Sequence, residues 1–402
     1  MESWSLAQDA LSCGCAYWFY RRLKGRFTRK AKKFEMKVKE KSVKERAVLV
    51  GIGLKSESFL DIKEDLVELN QLAEAAGAEV VATTVQQLER WNPATLMGSG
   101  KVAEVSDKVR NSEASVVVID HHLSGVQTRN LESAFGCRVL DRSQLILDIF
   151  AQRAQTYEGK LQVELAQLLD QMPRQVGAWL SSLSRQAGGI GTRGPGESAL
   201  ELDRRVIRKK IANIKKRLEE VRKHRALHRE SRKKHRTPSF ALIGYTNSGK
   251  STLLNCLTES KVLAKDQLFA TLDPTTRKVL LSPSVEAVVT DTVGFINKLP
   301  HHLIEAFKAT LEESGEADVL LHIIDLSSPN MERQVAVVEQ LIKEFGWQDK
   351  PLLHVYNKKD VAPPERLFRI TQFPRILVSA LTGEGIERLK EVMAQTLHRA
   401  PR

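Results

Sequence analysis

Between residues 46 and 158 the chain alternates two hydrophobic periods. β-Branched runs at Ala47–Gly51, Glu79–Ala82, Ser115–Asp120 and Arg138–Leu140 predict strands. Helical spacing fills the intervals: Phe59–Ala76, with Leu66, Leu69, Leu72 and Ala76 on one face, then Val102–Arg110, Val126–Ala134 and Gln144–Ala154. This alternation predicts a parallel sheet and an α/β domain over 46–158. From residue 159 the period changes. Leu161, Leu165, Leu168 and Met172 form one apolar stripe, and Ile207, Ile211, Ile214, Leu218 and Val221 form a second at heptad spacing. Two such helices predict an antiparallel helical hairpin over 159–236. Apolar strand-like runs return from Thr237-Pro238 onward, at Phe240–Ile243, Val285–Thr290, Leu352–Tyr356 and Arg375–Val378, and mark a third domain over 237–402. Residues 1–45 predict a poorly ordered basic extension, with one amphipathic stretch around Trp18 to Phe27.

A length of 402 residues with 42% apolar and 28% charged content fits a soluble globular chain of two or three domains. It holds no apolar run of the roughly 20 residues that a membrane span needs. Nothing at the N-terminus resembles a signal core, and the four cysteines (Cys13, Cys15, Cys137, Cys256) have no ligand-like grouping. Free thiols in a reducing cytoplasm, and a monomer without membrane attachment, are the expectation. The net charge of +13 is segregated: residues 21–46 carry +10 and residues 200–236 carry +11, leaving −8 for the rest. Concentrated positive charge is the footprint of a phosphate-backbone binder, with a solvated helix surface as the alternative.

The hairpin tip sharpens that expectation. Gln186–Gly196 is too Gly-rich to pack. Its Gly189, Gly191 and Gly194 let the backbone press against a partner, and Arg193 can pair with phosphate or stack on a base. A hinge is the competing reading. Gly98-Ser-Gly-Lys101 resembles a fragment of a phosphate loop but has Thr95 where the first Gly belongs, so it reads mainly as a loop and helix start.

The candidate chemistry lies in the third domain. Gly244, Tyr245, Thr246, Asn247, Ser248, Gly249, Lys250, Ser251 and Thr252 fit the phosphate-loop pattern between a strand and a helix. Gly244 and Gly249 let the N–H groups converge on phosphate, Lys250 reaches the β- and γ-phosphates, and the Ser251 hydroxyl ligates Mg²⁺. Asp291, Thr292, Val293 and Gly294 follow a strand. There Asp291 holds Mg²⁺ through water, and the Gly294 N–H binds the γ-phosphate. Asn357, Lys358 and Asp360 select guanine: a carboxylate accepts from N1–H and the N2 amino group, whereas adenine offers an acceptor at N1 and nothing at N2. Ser379 and Ala380 occupy the place for a backbone N–H to guanine O6. Phe269, Ala270, Thr271, Leu272 and Asp273 lie where a mobile loop supplies a threonine, here Thr271, to metal and γ-phosphate. Lys250, Thr271 and Gly294 are therefore the candidate catalytic groups, and Ser251, Thr271 and Asp291 the candidate metal set. Phe295 stands where related enzymes carry a water-positioning Gln, so slow intrinsic hydrolysis is expected. Asn247 is either a ligand for K⁺ or a loop hydrogen-bonder.

These elements, together with Leu140–Phe150, Gly159–Gln167, Gln186–Gly189, Gly194–Glu197, Asp203-Arg-Arg205, Phe269–Arg277 and Leu299–Lys308, resemble the HflX family of ribosome-associated GTPases. The resemblance covers roughly residues 46–390. It implies an N-terminal α/β domain, a helical hairpin and a P-loop GTPase domain. It further implies a Mg²⁺-dependent GTP hydrolase that binds the 50S subunit and rRNA near the peptidyl transferase centre and splits 70S ribosomes under stress. Family members hydrolyse GTP slowly until ribosomes stimulate them, and some are reported to use ATP through the N-terminal domain and to remodel rRNA. The basic extension has no counterpart in the family pattern, and the additional C-terminal domain of some members is not matched. A tRNA-modifying GTPase and an RNA-remodelling ATPase working from Gly98–Lys101 are the competing readings.

Overall fold

A computed structural model describes residues 44–183, 195–234, 237–258, 268–269, 272–283, 285–298 and 300–399. The basic extension, with Cys13 and Cys15, lies outside them, as do Gly189, Gly191, Arg193, Gly194, Ala270 and Thr271. Residues 46–402 cluster as one unit, separate from Met1–Glu45.

The first sheet has four strands, β1 (Arg46–Leu54), β2 (Glu79–Leu88), β3 (Val116–Ile119) and β4 (Arg138–Asp141), all parallel in the order β2-β1-β3-β4. Each strand leads to a helix: α1 (Phe59–Ala75), α2 (Ser99–Ser112), α3 (Gly125–Phe135) and α4 (Arg142–Arg153). Local sequence starts these helices. Ser58 accepts from the Leu60 N–H at the start of α1, and Ser124/Gln127 and Asp141/Gln144 form reciprocal capping boxes on α3 and α4. β1, β3 and β4 are buried on both faces, as a sheet covered by helices on two sides requires. β2 runs six residues beyond the expected Ala82. The segment Thr83–Leu88 lacks a clean apolar period, but parallel pairing with β1 up to Leu54↔Leu88 holds it extended.

Two long helices follow, α5 (Tyr157–Leu183) and α6 (Pro195–Lys234). Leu161, Leu165, Ile207, Ile214 and Leu218 are buried, with Leu168 and Ile211 partly buried, so the two apolar stripes do form the seam. Arg205, Arg208, Lys209, Lys210, Lys216 and Arg217 are exposed. The second sheet contains β5 (Ser239–Gly244), β6 (Thr275–Ser282), β7 (Val285–Asp291), β8 (Val319–Asp325), β9 (Leu352–Asn357) and β10 (Arg375–Leu377), in the order β10-β9-β8-β5-β7-β6. Only β6 is antiparallel. Around this sheet lie α7 (Lys250–Thr258), α8 (His301–Gly315), α9 (Met331–Glu344) and α10 (Ile386–Arg399). Among the described residues no helix is long and apolar enough to cross a membrane.

Candidate functional site

β5 delivers the chain into the loop Gly244–Gly249 at the carboxyl end of the sheet, where open α/β sheets take their ligands. A Cβ at Gly244 would overlap the Ile323 carbonyl of β8, and one at Gly249 (φ +89°) would overlap Asn357 Nδ2. Neither position accepts a side chain. Lys250, at the first turn of α7, is buried, and its Nζ donates to the Gly244 and Tyr245 carbonyls at 3.1 and 2.8 Å. Burial pushes its pKa down to about 8, with the Asp291 carboxylate acting in the opposite direction. Ser251 Oγ donates to Asp291 Oδ2 at 2.6 Å, so the hydroxyl and carboxylate expected at Mg²⁺ are adjacent. Thr246 Oγ1 and Ser248 Oγ are buried with no protein partner, which suits a cradle for a polyanion. The donor set therefore fits a Mg²⁺–nucleotide.

The segment after β7 closes over this loop. The Thr246 N–H donates to the Phe295 carbonyl (2.7 Å), and the Phe295 N–H donates to the Gly244 carbonyl (3.0 Å). A Cβ at Gly294 would stand 2.8 Å from Thr246 Cα and 2.9 Å from Lys250 Nζ, so only glycine brings this backbone so near the lysine. Thr292 Oγ1 donates to the Leu242 carbonyl, and Val293 is buried. The Phe295 ring is 2% exposed, in a cluster with Ala241, Ile243, Leu311 and Leu320. That ring belongs to the core, and it cannot orient a water molecule.

At the other end, Asn357 joins two loops: its Nδ2 donates to the Ser248 carbonyl and its Oδ1 accepts from the Ala380 N–H, each at 2.9 Å. Lys358 (φ +61°) pairs with Asp325 at 2.8 Å. Asp360 is exposed, and Ser379 is fully buried with its N–H on the Glu384 carbonyl. The structure thus brings together Gly244–Thr252, Asp291–Gly294, Asn357, Lys358, Ser379 and Ala380. Asn247 adopts φ +60° and lines a cavity of about 270 Å³ with Thr246, Glu64, Asp65, Glu68 and Arg333.

That cavity marks what sequence reasoning missed. The phosphate loop and the segment after Gly294 are both tied to the first sheet's lobe. Tyr245 Oη donates to a Glu68 oxygen and accepts from the Asn297 N–H at 2.7 Å; burial, then the Glu68 charge, raise its pKa. Lys298 (φ +54°) sits between Asp65 and Asp120, at 2.7 and 3.2 Å. Arg142 bonds Asp120 (2.7 Å), Glu68 and the Asn297 carbonyl (3.1 Å), and Arg333 bonds Asp65 at 2.8 Å. Asp65 and Asp120 are 5% and 1% exposed, so these are buried charges with designated partners. The available signal was charge at otherwise core-facing positions: Asp65 beside Leu66, and Asp120 at a strand end.

The other candidate loop is anchored too. Phe269 (φ +54°) and Leu272 are buried, and Phe269 meets Phe150 of α4 edge to face at 4.7 Å. The Asp273 carboxylate accepts from the N–H groups of Gln155 and Thr156 (3.1 and 2.9 Å) and from the Thr156 hydroxyl. Gly98 proves to be the N-cap residue of α2. Lys101 is occupied by Glu104 (2.6 Å) and Thr84 (3.2 Å), as the helix-start reading requires.

Three family models match the chain in succession: a GTP-binding GTPase N-terminal region over residues 63–151, a GTP-binding GTPase middle region over 153–232, and a 50S ribosome-binding GTPase over 239–358. Among similar curated proteins, the GTPase HflX of Lacrimispora saccharolytica is 48% identical over 358 residues, covering 89% of this chain and 84% of the relative. That of Escherichia coli K12 is 46% identical over 88% and 83%. That of Chlamydia pneumoniae is 40% identical over 91% and 79%. Of solved structures, the SsGBP–GDP complex aligns with 89% of this chain and 99% of its own, at 26% identity and a TM-score of 0.48.

Proposed function

The chain belongs to the HflX family of GTPases, and on that premise we propose that it uses its GTP cycle to bind the 50S subunit and split 70S ribosomes in the cytoplasm under stress. It is a GTP hydrolase. The observation that carries the proposed coupling is geometric. The groups assigned to phosphate and metal converge on one loop, and the two segments flanking that loop are bonded to the other lobe rather than left free.

Mg²⁺ would be held by Ser251 Oγ and Asp291, with Thr271 as a further ligand, and would neutralise charge between the β- and γ-phosphates. Lys250, already aimed at the loop carbonyls, trades them for phosphate oxygens. The Gly294 N–H meets the γ-phosphate, and Asp360 reads guanine; an N–H to guanine O6 from this loop requires the Ala380 N–H to leave Asn357 Oδ1 or the Ser379 N–H to leave the Glu384 carbonyl. Nothing at position 295 positions water, so the intrinsic rate stays low and the ribosome supplies the missing organisation. Asn247, in the phosphate loop, would be the ligand for a K⁺ beside the phosphates, since the carboxylates of the neighbouring cavity already have cationic partners. The Gly-rich hairpin tip, with Gly189, Gly191, Arg193 and Gly194, and the basic face of α6 make the rRNA contacts. The competing ATPase reading has less support, since Gly98 caps a helix and Lys101 pairs with Glu104 there.

Sedimentation of 70S particles with the protein and GTP, GDP or a non-hydrolysable GTP analogue tests the proposal. Separated 30S and 50S peaks are expected with GTP and the analogue, and an intact 70S peak with GDP. Intact 70S under every nucleotide would refute splitting.

A further inference from the structure

Asn297 and Lys298, a few residues past Gly294, turn their polar groups toward the first lobe and the phosphate loop. The Asn297 N–H donates to Tyr245 Oη at 2.7 Å, its carbonyl accepts from Arg142 at 3.1 Å, and its side-chain amide donates to Asp65 at 3.2 Å. Lys298 Nζ lies 2.7 Å from Asp65 and 3.2 Å from Asp120. Tyr245 completes the set from within the phosphate loop, since its hydroxyl donates to Glu68 of α1. Lys298 has φ +54°, a left-handed backbone that a lysine keeps only where its surroundings over-determine it. The contact with α1 supplies that constraint.

The same segment is fastened to the phosphate loop at its other end. The Phe295 N–H donates to the Gly244 carbonyl at 3.0 Å, and the Phe295 carbonyl accepts from the Thr246 N–H at 2.7 Å. A Cβ on Gly294 would stand 2.8 Å from Thr246 Cα and 2.9 Å from Lys250 Nζ, so not even a methyl group fits between this backbone and the lysine. GTP demands more of that gap than GDP does. Its γ-phosphoryl group takes hydrogen bonds from both Lys250 and the Gly294 N–H, and a tetrahedral group of oxygens needs more room than a methyl. Gly294 must therefore retreat from Lys250 when a γ-phosphate arrives. Phe295 and Ile296 are buried in two different clusters and serve as a pivot, so motion at Gly294 reaches Asn297 and Lys298 as a rotation of the backbone.

We propose that Tyr245 and Lys298 set the preference between GTP and GDP: with Asn297 they hold residues 294–298 where the γ-phosphate needs room, and this hold is released together with the contact on α1. GDP leaves the contact closed. GTP parts it and frees Asp65, Glu68 and Asp120 from the GTPase domain. The inference rests on the proposed roles of Gly294 at the γ-phosphate and of the 50S subunit as partner of the GTP form. By linkage, a partner that binds the parted form raises affinity for GTP over GDP, and GTP raises affinity for that partner by the same factor.

The test measures, without ribosomes, binding of a non-hydrolysable GTP analogue and of GDP, both with Mg²⁺, by calorimetry on the full chain. Lys298→Ala should tighten the analogue about fivefold, the lower end of ordinary coupling between sites, and leave GDP within about twofold. Tyr245→Phe, which removes only the hydroxyl, should act in the same direction, and Lys298→Arg, which keeps the charge, should stay close to wild type. A variant that merely loosened the fold would weaken both nucleotides, so a selective gain is not a stability effect. On the wild-type protein the analogue, but not GDP, should quicken amide exchange in α1 and in residues 295–298. Unchanged or weaker analogue binding by Lys298→Ala, an equal gain for GDP, or the same α1 exchange with both nucleotides would each overturn the proposal. Sedimentation of 70S particles separates it from splitting. If the selective gain and the exchange difference appear while 70S stays intact under every nucleotide, the coupling stands and splitting falls. If 70S splits with GTP while Lys298→Ala binds both nucleotides as wild type does, splitting stands and the coupling falls.

Discussion

At the scale of single residues, Lys250 has the most to say. Burial brings this ammonium down to a pKa of about 8 against the pull of Asp291, so it is cationic at neutral pH, where it donates to two loop carbonyls. Bound phosphates raise that pKa. The sign follows: above about pH 8 the nucleotide-free lysine is largely neutral and must take up a proton when GDP or GTP binds, so affinity falls as pH rises. Calorimetry in buffers of different ionisation heat should show uptake approaching one proton at about pH 9 and little near pH 7. Uptake independent of pH would contradict this burial. Most of this loop was legible in the sequence, because Gly244, Gly249, Lys250 and Ser251 act through backbone geometry and fixed spacing. The role of Phe295 was legible only by half. Its inability to orient water follows from its chemistry, but that its ring fills the core against Leu311 and Leu320 depends on partners that no local pattern names.

At the scale of elements, the hairpin shows how far periodicity reaches. The stripes Leu161/Leu165 and Ile207/Ile214/Leu218 are buried, as heptad spacing indicates, but Gln162, Val163 and Ala166 of α5 are buried as well, because that helix also packs against α3, α4 and α8. Within α6 the repeat is uneven in depth: Ile214 is 4% exposed and Ile211 only partly buried. Ile214→Ala should therefore cost about 2–4 kcal/mol in denaturant unfolding, by lost transfer energy and a cavity, and Ile211→Ala distinctly less. Equal costs would mean that the seam is not where the burial places it. Strand β2 went the other way: its second half, Thr83–Leu88, is polar and was missed, since pairing with β1 rather than its own pattern extends it. The Asp273 cap was equally hidden. Its receptor is a backbone N-terminus more than a hundred residues earlier in the chain.

For the whole molecule, the two sides of the contact between lobes differ in kind. On the hairpin side the join is apolar, with Phe150, Phe269 and Phe307 meeting edge to face and Leu161, Leu272 and Leu303 around them. On the α1 side it is ionic: Asp65 holds Lys298 and Arg333 and accepts from Asn297, while Arg142 spans Asp120, Glu68 and the Asn297 carbonyl. Paired charges gain little over their hydration, whereas exposing packed rings costs about 25 cal/mol per Å². The cheaper place to part the lobes is therefore α1, with the hairpin side acting as hinge. Asp65 is the best point to break this seam because it serves three partners. Burial raises the energy of its charge, and Lys298 and then Arg333 more than offset this, holding its pKa below the usual carboxylate range. Asp65→Ala leaves Lys298 only Asp120 and Arg333 only Glu64, and removes the carboxylate that joins the two cations and Asn297. Amide hydrogen exchange should then quicken in α1 and in residues 295–298, while the buried turns of α8 around Leu303 and Phe307 keep wild-type protection. Equal loosening on both sides would mean that the lobes separate without a hinge, and unchanged exchange in α1 would mean that the ionic seam does not hold them.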